Sequence, residues 1–146
     1  MPKKVKKINK RNKKTVVQPL ASTDSCKQIW LFDSIDNDGH FRFSPSREDM
    51  DCKGILDKVI QYSKRTWADI KSEKHDGNKS KHHFLNFNGL SDLAVERIRK
   101  LQLEERIDQV FSMRMSNELR IIGLRENQFF IVMWFDPKHE FYPVSE

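Results

Sequence analysis

The chain has 146 residues, of which 37% are hydrophobic and 33% charged, and a formal net charge of +6. That suffices for one domain with a modest core. No apolar run approaches the roughly 18 residues that cross a bilayer. The charged N-terminus lacks the apolar stretch of a secretory signal. Membrane, secreted and multidomain-enzyme classes are therefore set aside.

The charge is unevenly placed. Lys3, Lys4, Lys6, Lys7, Lys10, Arg11, Lys13 and Lys14 fall in Met1–Lys14 with no acid among them. These eight of the 27 basic residues leave 19 against 21 acidic ones over the rest of the chain. Residues 1–25 read as a disordered basic arm, and residues 26–146 as a single domain. A polybasic arm binds phosphates by releasing their counterions, so these eight side chains are candidate nucleic-acid contacts. Cys26 and Cys52 have no CxxC spacing, which fits a reducing cytoplasm better than a disulfide scaffold.

Gln28–Asp33 is apolar enough for a strand, and Asp36-Asn37-Asp38-Gly39 is a turn cluster. His40–Phe43 alternates, so a hairpin is expected. Ser46 and Asp49 have capping-box spacing ahead of Ile55, Leu56, Val59 and Ile60, which predicts a helix to about Lys64. Thr66 with Asp69 repeats the cap and opens a short helix through Trp67 and Ile70, where the indole anchors the helix to the core. Lys71–Lys81 reads as a polar loop, and His82–Asn88 as a short strand. Ser91 caps a third helix whose buried side carries Ala94, Val95, Ile98 and Leu101.

The last third is clearest. Val110–Met115 alternates, Leu119–Leu124 forms a second strand, and Asn127 suits the left-handed position of a tight turn. Phe129–Phe135 is apolar at every position, as a strand covered on both faces would be. The order predicts an α+β domain. It has an antiparallel sheet ending in a three-stranded meander, packed by two or three helices.

Successive antiparallel strands bring Arg114, Arg120 and His139 to one end of the sheet, with Tyr142 close in sequence. Guanidiniums hold phosphate, an imidazole moves protons near neutral pH, and a tyrosine stacks a base or donates a proton. That set suits metal-free phosphodiester cleavage in which an RNA 2′-OH attacks. Arg114, Arg120, His139 and Tyr142 are thus the candidate catalytic residues. His82 and His83 point to opposite faces of a strand, so they are poor partners for one metal and better as phosphate or acid–base contacts. No metal and no cofactor is expected.

The segments Arg120–Gly123 and Phe130–Pro143 carry a Trp134-Phe135-Asp136-Pro137-Lys138-His139 stretch. With His82-His83, the helix after Ser91 and Phe111–Arg114, they resemble small prokaryotic proteins of mobile elements and phage-defence islands. The likeness covers about 81–143. A helix followed by three antiparallel strands bearing Arg and a terminal His and Tyr is similar to the RelE/ParE-like toxin superfamily. The resemblance implies a toxin-like, metal-independent endoribonuclease (mRNA-interferase-like) of a toxin–antitoxin or phage-defence system. It would act on RNA, free or on the ribosome, and be silenced by an antitoxin or other protein partner. Arg114 and Arg120 would then hold phosphate, with His139 and Tyr142 near the scissile bond. The alternative is a non-catalytic nucleic-acid- or protein-binding module of a mobile element. A metal-dependent nuclease using His82 or His83 with His139 is the third reading.

Overall fold

The computed structural model of the chain describes residues 22–75 and 79–143. In chain order its elements are β1 (Ile29–Leu31), α1 (Cys52–Ser63), α2 (Trp67–Ser72), β2 (Lys74–His75), β3 (Lys79–Ser80), β4 (His83–Phe84), α3 (Asp92–Lys100), β5 (Val110–Arg114), β6 (Arg120–Glu126) and β7 (Phe129–Asp136). The fold is α+β. The meander β5-β6-β7 forms as expected, and Asn127 takes φ +57° in the β6–β7 turn.

Five strands pair in the order β1-β7-β6-β5-β4, and β2 pairs with β3 as a separate ribbon within the expected loop. The sheet is mixed rather than wholly antiparallel, because β1 runs parallel to β7. This replaces the expected hairpin. Of the expected strand only Ile29–Leu31 forms, and it pairs with the edge of β7 rather than with 40–43. The 36–43 segment becomes a loop hung on β7. Asp36 N–H donates to the Met133 carbonyl (2.9 Å), and Phe135 N–H donates to the Phe41 carbonyl (2.9 Å).

A bulge makes that possible. The register passes from Ile122↔Trp134 to Gly123↔Val132, so Met133 is an extra residue in β7. A Cβ on Gly123 would lie 2.1 Å from the Ile131 carbonyl oxygen, so only glycine admits this approach.

Helix starts follow their caps. Thr66 and Asp69 form the expected capping box of α2, and the Ser91 hydroxyl accepts from Ala94 N–H ahead of α3. The cap of α1 is Asp51, not Ser46: its carboxylate accepts from Gly54 N–H (3.1 Å). Asp49 is instead held by Arg47, which also donates to the His40 and Arg42 carbonyls and so winds 40–49 into a turn. Ser22–Ser25, expected within the arm, belong to the fold. Asp24 bonds Arg125 (2.7 Å) and Lys71 (3.0 Å) and fastens a 3-10 turn at 23–25.

The sheet separates two apolar layers. On one face Phe111, Met113, Ile121, Phe130, Val132 and Phe135 meet α1 and α2 through Ile55, Tyr62, Trp67 and Ile70. On the other, Val110, Ile122, Leu124 and Trp134 meet Ala94 and Ile98 of α3, with Phe41 and Phe141. Both faces of β7 are covered, as its composition implies. Among the described residues no helix is long and apolar enough to cross a membrane.

Within the second layer, buried Asp36 receives two bonds from Arg97 (2.9 and 2.7 Å) and one from the Trp134 indole (2.9 Å). Removing one partner leaves a buried charge without compensation, which typically costs about 3–5 kcal/mol. Asp36→Ala is expected to lower unfolding free energy by about 3 kcal/mol in urea titrations, far more than the exposed Asp57→Ala.

Candidate phosphate-binding cleft

At the Arg114 end of the sheet, α1, the β2–β3 ribbon and the β5–β6 turn enclose a cleft of about 330 Å³. Lys58 and Tyr62 come from α1, Lys74 from β2, and Lys81 from the bend before β4. Arg114, Met115, Ser116 and Asn117 close it. Among the described residues, four cationic side chains and no acidic one line the cleft.

The construction rests on the Arg114 backbone. Its N–H donates to His82 Nδ1 (3.0 Å), and its carbonyl accepts from the Tyr62 hydroxyl (2.7 Å). Because Nδ1 accepts, Nε2 carries the ring proton and donates to Glu73 Oε1 (2.9 Å). Glu73 also pairs with Arg65 and, at 3.5 Å, with Lys81. A charge on His82 would displace the Arg114 N–H from Nδ1. Burial, reinforced by nearby Lys81 and Arg65, pushes the His82 pKa down to about 3. The imidazole is therefore a neutral strut. Burial also raises the Tyr62 phenol above its usual range, against the opposing pull of Arg65 and Arg114. The Lys58 ammonium lies 5.7 Å from the Tyr62 ring centroid.

The residues singled out in the sequence are distributed as follows. Register sets Arg114 opposite Arg120 and Arg120 opposite Asp136, one row at the expected sheet end. Arg114 lines the cleft. Arg120 is only 2% exposed, and its Nη1 donates to the carbonyls of Ser116, Asn117 and Leu119. It thus shapes the turn that forms the cleft's rim. His139 takes φ +58° in a turn after β7, whose ends are tied by Asp136 accepting from Glu140 and Phe141 N–H. Burial raises the Asp136 pKa. The Arg114 and Asp136 backbones are two strand spacings apart, about 10 Å. Tyr142 is 9% exposed, with its ring against His83 on the α3 side. His82 packs on Tyr62 on the opposite side, so the two histidines do face apart. Arm residues Lys3 to Lys14 lie outside the described residues.

Lys58, Tyr62, Lys74 and Lys81 carry no motif that marks them in the sequence. The four-residue spacing of Lys58 and Tyr62 puts them on one helix face, but nothing local says that face meets Arg114. Among the described residues no group of three or more His, Cys, Asp or Glu side chains is arranged to hold a metal. Comparison with protein-family models, curated proteins and solved structures finds no match to this chain.

His82 couples this site to pH. The unfolded chain binds a proton near pH 6.5 while the folded chain does not until about pH 3. The unfolded state thus holds more protons across that window, and stability falls as pH drops. The contribution to the slope is at most about 1.4 kcal/mol per pH unit. Urea unfolding of wild type and His82→Gln between pH 7 and 4 is expected to show a flatter dependence in the variant.

Proposed function

We propose that the protein is a nucleic-acid-binding module that seats an RNA backbone phosphate in the cleft between α1 and the β5–β6 turn. The observation that carries this reading is the convergence of Lys58, Lys74, Lys81 and Arg114 on one concavity whose lining, among the described residues, includes no acid. Lysines offer mobile point charges and arginine a planar donor pair, both suited to a phosphodiester. Glu73 pairs with Arg65 and, at 3.5 Å, with Lys81, which partly offsets the Lys81 charge and leaves Lys58, Lys74 and Arg114 as the larger share of the positive lining. The arm adds eight further cations to the same chain.

The toxin-like endoribonuclease stands second. It is favoured by the row Arg114–Arg120–Asp136, with His139 three residues beyond. Against it, the buried Arg120 spends its Nη1 on backbone carbonyls and Tyr142 is nine-tenths covered. An antitoxin or other protein partner belongs to this second reading only.

Binding of full-length protein to a labelled RNA strand, followed across salt concentration, separates the readings. Lys58→Ala and Lys81→Ala should each reduce the slope of log affinity against log salt by about 0.7, without changing the melting temperature by more than a few degrees. An unchanged slope in both variants contradicts the proposal. Cleavage of that strand in the presence of a chelator, lost in His139→Ala, would install the nuclease instead.

A further inference from the structure

The cleft has an aromatic neighbour that the phosphate reading leaves unused. β4 is the last strand of the five-stranded sheet, with β5 on its inner side. Phe84 on this strand is 42% exposed, and Phe87, three residues on, is 44% exposed. Phe87 lies in the 3-10 turn at 87–89 that follows the strand, so two half-exposed aromatic side chains fall within one short stretch at this edge.

Their placement relative to the cleft is defined. Phe84 pairs in register with Phe111, and its ring meets the Phe111 ring edge-on at 4.8 Å. Phe111 belongs to the layer beneath α1 and α2, the same layer as Tyr62, which lines the cleft. Phe84 therefore shares the cleft's side of the sheet. Lys81, a cleft residue, precedes it by three positions, at most about 10 Å of extended chain. One side of Phe84 is fixed by Phe111 while much of the ring is open to solvent. A rigid aromatic at that distance from a cationic cleft is what a single-stranded nucleic acid requires: phosphate in the cleft, a following base on the ring. In a duplex the bases are stacked inward and offer no face to Phe84.

We infer that the module selects single-stranded RNA, with Phe84 as a stacking platform for a base adjoining the phosphate held in the cleft. This rests on the phosphate reading above, and the two fail in different ways. The probes are a labelled single-stranded oligoribonucleotide, a strand with the same number of phosphates but lacking bases, and a duplex of the same sequence.

Wild type should bind the single strand more tightly than the duplex. Phe84→Ala should weaken binding to the intact strand about tenfold, a typical loss for one stacked base, leave binding to the baseless strand unchanged, and keep the salt slope. Phe84→Leu preserves apolar contact with Phe111 but has no π-face. It should bind like the alanine variant while melting like wild type, which separates stacking from folding. Phe84→Trp should retain affinity and show fluorescence quenching by the intact strand beyond that of the native tryptophans. Equal affinity of Phe84→Leu and wild type for the intact strand overturns the inference, as does equal loss on intact and baseless strands. Failure of the lysine variants to alter binding overturns the phosphate reading itself.

Discussion

The backbone of one residue organises the end of the molecule where the charges gather. The Arg114 N–H and carbonyl are both taken by side chains, His82 from the neighbouring edge and Tyr62 from α1. β5 thereby ends its ladder at a fixed place, and α1 is pinned against it. The β5–β6 turn that follows is drawn together by Arg120 through three of its carbonyls. A cleft lined by cations repels itself and needs a frame that does not depend on those cations. A neutral histidine and a phenol supply that frame, because neither adds charge at neutral pH.

The same economy recurs on the opposite face. Asp36 gathers Arg97, Trp134 and the Asp38 N–H, and Asp136 takes two N–H groups of the C-terminal turn. Each buried carboxylate folds a loop that has little regular structure of its own. The bulge at Met133 is part of this arrangement: it frees a carbonyl that receives the Asp36 N–H and so fixes where the 36–43 loop crosses β7.

What the sequence revealed follows from the range of the interactions concerned. The meander was legible because alternation in Val110–Met115 and the continuous apolar run Phe129–Phe135 are local records of one and two covered faces. The α2 and α3 caps were legible for the same reason. The N-terminal hairpin was misread because the turn-forming cluster at 36–39 is in fact ordered by Arg97, 61 residues away, and Trp134, 98 residues away. β1 accordingly sought the edge of β7. At the site, connectivity alone brought Arg114 and Arg120 together, yet it held no information on exposure, and only Arg114 reaches the cleft. The lysines that complete the lining come from three segments whose convergence depends on His82 and Tyr62. Neither contact has any sequence-local signature.

The central claim is that the folded body itself, at the Arg114 end of the sheet, receives phosphate. The direct measurement is a two-dimensional amide NMR titration of the full chain with a short RNA strand. Shifts should appear first at Arg114 through Asn117 and in α1 around Lys58 and Tyr62, whose groups surround the cleft. Binding that leaves those amides unmoved while perturbing only residues 1–21 would contradict the account.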